Sequence, residues 1–506
     1  MTGMKNLKTS TLFFCALSLA LVTDKGLAQT QKIEKIYNSI RHDPVQLGMF
    51  LQHFPKGADL HLHLSGAVYA ESLIEWAAQD GMCFSTKTLD ILGHPCTTGQ
   101  TDEHPASALQ NNELLRNIAI DALSMRDFVP DPIDRSGHDH FFATFEHFDA
   151  LEKDHQGDML AEVMDRAADN HITYIEPMIS PALGKFIQEG FRHPLKGQDF
   201  STAHQQLQPD ISTLVNEAKS ATDSMERKAH TLLKCGTPQA HPGCAVSVRY
   251  LYQTLRTLPP QAVYAQLEGG YALVKSDPRF VGINIVAPED DAVALRDYSL
   301  HMAMFNYLNQ IIPDVNLSLH AGELTDQLVP PEELKSHIRQ AVEIAGAKRI
   351  GHGVDIAYES DADQLMLEMS KKHIMVEINL SSNEQILGIK GDFHPFRLYQ
   401  KYNVPLSLST DDEGVSRGNL TKEYTRAALT YNLDYADLKR LSRTGLEYAF
   451  LPGESLWQDH TIGKMIKACS ADLLSPACRT FVRASDKASA QWSLERQFQA
   501  FESSFN

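Results

Sequence analysis

Blocks of lysine and arginine are missing from this chain, and its formal charge is −18 at pH 7. That argues against nucleic acid as a partner and reads most simply as an acidic, soluble surface. There is no internal repeat, no low-complexity tract and no Cys-x-x-Cys spacing. Beyond residue 30 no apolar run approaches the roughly 20 residues that a membrane helix needs. No Gly-rich phosphate fingerprint follows the first strand candidate, which counts against a doubly wound nucleotide-binding sheet.

What is present begins with a leader. Lys5 and Lys8 precede TLFFCALSLALV, and Gly26 and Ala28 occupy the −3 and −1 positions of a cut after Ala28. This is the pattern of a cleavable signal peptide over residues 1–28, the alternative being an uncleaved anchor. Export to an extracellular or periplasmic space changes the reading of the cysteines. Cys15 departs with the leader, and the other six fall into near pairs: Cys83 and Cys96, Cys235 and Cys244, Cys469 and Cys478. Three local disulfides are the expectation, although six cysteines allow other connectivities.

The chain has 506 residues, 43% hydrophobic and 22% charged, an ordinary globular composition. Eight short β-branched runs stand out: ADLHLH (58–63), ITYIEPM (172–178), AVSVRYLY (245–252), VGINIVA (281–287), VNLSLH (315–320), KRIGHG (348–353), IMVEINL (374–380) and VPLSLST (404–410). Helical patterns such as DMLAEVMDRAADN separate them. Strand and helix alternating eight times predict an α/β fold, the (β/α)8 TIM barrel, with an open parallel sheet as the alternative. A typical barrel takes about 250 residues. The surplus is assigned to a helical arm at 29–54 and to insertions at about 80–140 and 184–244, within a catalytic unit spanning 55–506.

In such a barrel the active site lies at the C-terminal ends of the strands. Those ends carry His61 and His63, then His320 with Gly322 and Glu323, then His352, Glu377, and finally Asp411 and Asp412. His61 and His63 are two residues apart on one strand and share a face, so one ion can take both. With His320 and Asp411 they make a four-ligand N/O set that suits Zn²⁺ with one position open for water. His-Glu-x-x-His is absent, which removes zincin-type proteolysis, and so is the His-x-Glu plus Pro-Cys-x-x-Cys signature of cytidine-deaminase-like folds.

PKGADLHLHLSG, SLHAGE, KRIGHG, VEINLSSN and LSTDDEG, in that order, resemble the adenosine deaminase branch of the amidohydrolase superfamily. With the leader, arm and insertions, the secreted adenosine-deaminase-related growth factor group is most similar. The resemblance implies one Zn²⁺ held by His61, His63, His320 and Asp411. It implies that His352 orients the attacking water, that Glu323 gives a proton to purine N1 and that Asp412 binds N7. It places Ser65, Gly66, Ala287 and Gly322 at the substrate, and Glu377 behind the site, orienting His352. Residues 281–291 carry no lysine of the kind binuclear relatives carboxylate, so one metal is expected.

Departures from the family pattern are Ser65 where an aspartate meets the ribose 5′-hydroxyl, Ala287 where glycine is usual, Glu413 for a proline, and Asn379 and Leu380 for Cys-Pro. The implied activity is deamination of adenosine, and of 2′-deoxyadenosine, to the 6-oxopurine and ammonia. Alternatives are an amidohydrolase for another aminopurine or a cyclic amide, and a secreted binding or signalling module. The implied partner is a small purine nucleoside, with no nucleic acid, no membrane after cleavage and a homodimer as in the secreted relatives.

Overall fold

The computed structural model describes residues 31–505. The leader and its cut after Ala28 lie outside them. Eight parallel strands follow in chain order: β1 (Gly57–His63), β2 (Ile172–Ile179), β3 (Tyr250–Leu255), β4 (Phe280–Val286), β5 (Ser318–Ala321), β6 (Arg349–His352), β7 (Met375–Ile378) and β8 (Leu406–Leu408). β1 to β4 pair in sequence order in one sheet, and β5 to β8 do so in another. Single parallel bridges close both seams, Ile283 to Leu317 between β4 and β5, and Leu62 to Asp411 between β8 and β1. The ring is the expected (β/α)8 barrel. Its strands read as continuous apolar runs because helices cover the outside and side chains fill the inside.

Seven strands fall where the sequence places them, within a few residues. The third does not. The run 245–252 was expected as one strand, but a short piece at Ser247–Val248 pairs with β2 and the true β3 starts at Tyr250. Arg249 breaks the run.

The N-terminal segment is helical and packs against the rest of the chain. Residues 31–40 are helical, and a second helix, Pro44–Gln52, starts with Asp43 accepting from the N–H groups of Val45 and Gln46. Phe50 and Phe54 meet Phe501 and Phe498 of the last helix, Asp486–Ser503, at ring distances of 5.2 and 5.4 Å.

The first insertion holds a three-stranded antiparallel sheet (Cys83–Ser85, Ile91–Leu92, Glu103–Pro105) and ends in a 33-residue helix, Gly137–Asp169. Ser136 caps that helix. Its first turn is tied to the loop after β4, with His138 Nε2 2.9 Å from Asp290 Oδ1. Gly137 lies so close to the Gln385 carbonyl that a Cβ would sit 2.0 Å from it. The second insertion is a helical pair, Leu183–Arg192 and Phe200–Leu232. All three expected disulfides are formed: Cys83–Cys96, Cys235–Cys244 and Cys469–Cys478. The last staples a small separate core around Leu456, Trp457 and Leu473. No helix among the described residues is long and apolar enough to cross a membrane.

Candidate active site and metal centre

The ligand set proposed from sequence converges. One donor atom from each of His61, His63, His320 and Asp411 lies within 4.8 Å of all the others. Asp411 Oδ1 is 3.3 Å from both His61 Nε2 and His63 Nε2, and His63 Nε2 is 3.3 Å from His320 Nε2. His61 Nε2 is buried and makes no hydrogen bond. Such an orphaned nitrogen is costly unless something takes its lone pair.

The outer atoms explain the aim of the inner ones. Each imidazole presents Nδ1 to an oxygen: His61 to Glu377 Oε2 at 2.7 Å, His63 to Gln253 Oε1 at 2.9 Å, and His320 to Asn284 Oδ1 at 2.8 Å. Nδ1 therefore donates in all three rings, and the three Nε2 lone pairs face one point. Asp411 Oδ2 accepts from Ser382 Oγ at 2.6 Å, which leaves Oδ1 for that point. Three neutral nitrogens and one carboxylate fit a zinc ion. Gln253, Asn284 and Ser382 were not picked out from sequence. Inward-facing polar residues on β3 and β4, and the serine pair of VEINLSSN, were the signals available.

Electrostatics follow from burial and crowding. Burial disfavours a charged His61, but the adjacent carboxylates of Asp411 and Glu377 outweigh it and raise the pKa to about 10. A cation held at the common point would replace that proton. Burial and the neighbouring imidazoles push His320 well down, so it stays a neutral donor. Burial likewise lowers His352 to about 3.

Glu323 follows β5 and lies with Oε1 3.4 Å from His352 Nδ1. Burial first, then the charges of Asp411 and Glu289, push its carboxyl well above the usual range. Glu289 is a further residue the sequence reading passed over. Its carboxylate accepts from the backbone N–H groups of Gly322 and Glu323, at 3.1 and 2.9 Å, and pairs with His337 Nδ1 at 2.6 Å. It fixes the turn that presents Glu323. Burial and the charge of Asp411 raise Asp412 to about 8.

Glu377 requires a correction. It was expected to orient His352, but its carboxylate supports His61 and also meets Arg349 Nε at 2.6 Å and Ser318 Oγ. The register gives the reason. Glu377 pairs with Gly351, one position before His352, and the missing Cβ of Gly351 leaves the room that His61 occupies. His352 has φ +66° and is held instead by Asn383.

The expected substrate-side residues lie on the loops around this centre. Gly66 packs against Asp412, where a Cβ would fall 1.7 Å from Oδ1. Gly322 has φ +74°, and a Cβ there would meet Asp355 Oδ1 at 2.3 Å. Ala287 follows β4 with φ +82°, an uncommon backbone for alanine. Its carbonyl accepts from Arg256 Nε at 2.8 Å. Ser65 is half-buried and hydrogen-bonds Glu152 of the long helix. Glu413 is not idle either, since Arg166 donates to it at 2.8 Å while stacking over Tyr69.

A closed parallel barrel with histidines and carboxylates gathered at its C-terminal rim, beside an acid of raised pKa, is the layout of a hydrolase with a candidate metal centre. Residues 136–458 match the profile described as adenosine deaminase. The chain belongs to the adenosine deaminase family and is a hydrolytic deaminase. It is 23% identical to an adenosine deaminase of Clostridium perfringens over 419 residues, covering 80% of this chain and 97% of that one. Among solved structures it resembles a zinc-bound amidohydrolase from Burkholderia ambifaria (TM-score 0.51, 15% identity, 90% of this chain and 94% of that one). It also resembles the N6-methyl-AMP deaminase of Arabidopsis thaliana (TM-score 0.52, 19% identity, 80% and 94%).

Proposed function

We propose that this chain is a zinc-dependent adenosine deaminase that acts outside the cytoplasm, converting adenosine and 2′-deoxyadenosine to inosine, 2′-deoxyinosine and ammonia. The observation that carries the reading is the donor set: three imidazoles whose Nδ1 atoms are all engaged outward and whose Nε2 atoms share one point with Asp411 Oδ1. His61, His63, His320 and Asp411 would hold a single zinc. When bound, zinc acts as a Lewis acid that brings the pKa of a coordinated water to about 7.

The chain's own groups do the rest. His352 stands over the water and orients it toward C6 of the purine. Glu323 holds a proton at a raised pKa and gives it to N1 as the oxygen adds to C6. The amino group leaves C6 as ammonia and a carbonyl remains. Asp412, with its pKa near 8, is protonated at neutral pH and donates to the N7 lone pair. The N–H of Ala287 faces N3. Burial of these groups keeps bulk water away from them.

Ser65 favours keeping a second substrate reading in view, an aminopurine with another sugar or none, since serine binds a ribose hydroxyl more weakly than a carboxylate does. The three disulfides and the leader pattern support an oxidising compartment. The test is metal analysis of the purified protein together with ultraviolet or ammonia-release assays on adenosine, 2′-deoxyadenosine, adenine and N6-methyl-AMP. Fast turnover of the two nucleosides with one zinc per chain is expected. Inertness toward both, with another aminopurine consumed, replaces the substrate assignment.

A further inference from the structure

Behind His352 a line of hydrogen bonds leads out of the site, and its far end is a group whose donor character is beyond doubt. The backbone N–H of Phe396 lies 3.2 Å from His394 Nδ1. A nitrogen that accepts from an N–H carries no proton, so the His394 ring proton is on Nε2. That atom is 3.0 Å from Asn383 Oδ1. The carboxamide is thereby oriented, and its Nδ2 faces His352 Nδ1 at 2.8 Å. His352 Nδ1 is an acceptor in turn, with Glu323 Oε1 farther off at 3.4 Å, which places the proton of this imidazole on Nε2. All of Asn383, His394 and His352 are buried, so water does not compete for these bonds.

On the other side of His352 the same assignment requires one amide to be turned over. Asn379, one of the departures from the family pattern, has its Nδ2 3.4 Å from His352 Nε2 while its Oδ1 is buried without a partner. Amide oxygen and nitrogen look alike to the backbone and are interchangeable by a half-turn. Turned over, Asn379 offers the oxygen to the Nε2 proton.

We propose that Asn383 and His394 are positioning residues that hold His352 in the Nε2-protonated tautomer, so that it presents an N–H, with no lone pair on that face, to the attacking oxygen. His352 then fixes the water's orientation by donating a hydrogen bond to its oxygen. This rests on the placement of His352 over the water in the reading above, but the tautomer itself is a property of the protein without substrate.

The test uses full-length mature enzyme labelled with ¹⁵N-histidine, both zinc-loaded and metal-free, and long-range ¹H–¹⁵N spectra, with the His352 signals assigned from their loss in His352→Gln. A protonated Nε2 and an unprotonated Nδ1 are expected. Asn383→Asp should reverse this, because a carboxylate accepts from Nδ1–H. It should also lower kcat at least about tenfold, with KM changed less than about twofold and zinc content unchanged. His394→Gln, which still donates to Asn383, should retain more activity than His394→Leu.

A wild-type His352 protonated at Nδ1 overturns the proposal, and so does an Asn383→Asp protein with reversed tautomer and unchanged kcat. Kinetics are read on whichever nucleoside the wild type deaminates fastest. If it deaminates none, the functional reading fails while the spectra still decide the tautomer. If Asn383→Asp does not fold, the wild-type spectra and the His394 pair decide it.

Discussion

Glu377 Oε2 lies 2.7 Å from His61 Nδ1, with both side chains fully buried. The other oxygen of Glu377 is 2.6 Å from Arg349 Nε, and Arg349 reaches Glu176 of β2 at 2.6 Å. The metal centre is thus wired to a charge network in the barrel interior. Glu377→Ala leaves His61 free to rotate and strands Arg349 without a full counter-charge. Metal affinity should fall about 10- to 100-fold, measured by chelator competition. Loss of a buried partner should also cost about 3–5 kcal/mol of stability. An unchanged dissociation constant would contradict this role.

Glu323→Gln keeps the size of the side chain and removes its acidity. Zinc content should stay at the wild-type level, while kcat drops about 10²- to 10⁴-fold. Metal analysis and ammonia release on the same sample check it. Unchanged turnover would remove Glu323 from proton donation to N1.

Ala287→Gly addresses the alanine at φ +82°. Left-handed backbone costs an L-residue roughly 1–2 kcal/mol, offset in part by the about 0.5–1 kcal/mol that glycine loses in chain entropy. A small net gain in stability is expected, with a lower KM for purines bulkier at the N3 edge. Thermal melts and a panel of 2-substituted adenosines test the two effects. A fall in Tm would show that the methyl contributes more through packing than the backbone strain costs.

His301 supplies a pH prediction. It is buried with neither ring nitrogen bonded, and burial holds its pKa at about 4, below the ordinary 6.5. The unfolded chain therefore takes up a proton below pH 6.5 that the folded chain refuses until about pH 4. Above pH 6.5 the residue has no effect. Between 6.5 and 4 it removes stability as pH falls, at a limiting slope of about 1.4 kcal/mol per pH unit. His301→Leu should flatten that part of the stability profile in urea titrations. A variant with the wild-type slope would show that His301 is not the group responsible.

Reducing the three disulfides should lower Tm and leave zinc content unchanged, since none of the six cysteines belongs to the metal centre. Thiol titration of the unreduced mature protein should find no free cysteine among the six. Six reactive thiols would remove the pairing.

The barrel and the four residues of the candidate metal centre were legible because each leaves a local trace. Strand period places His61 and His63 on one face, and helix alternation counts the strands. What did not show was lateral. Glu377 supports His61 because β7 and β6 pair with Gly351 opposite it, and register between strands is not written in either one alone. Glu289, Gln253 and Asn284 look like ordinary polar residues until the ring closes around them. The split of the third strand falls at Arg249, the one charged residue in the run 245–252. The C-terminal part of the helix at Gly137–Asp169 was legible in DMLAEVMDRAADN, but its full 33 residues were not, because its polar and apolar residues have no clean stripe, being packed on several sides.

The two seams of the ring give the ion a mechanical part as well. Each half-barrel is well laddered within itself, but among the described residues the strand ladder continues across the seams only as one bridge at Ile283 and Leu317 and one at Leu62 and Asp411. Two of the ligands, His61 and His63, belong to the first half, and His320 and Asp411 to the second. A cation held there would clasp the two halves like a buckle. Its departure would loosen the joint before it melts either sheet, so protease nicking should concentrate at the joins when the protein is stripped of metal.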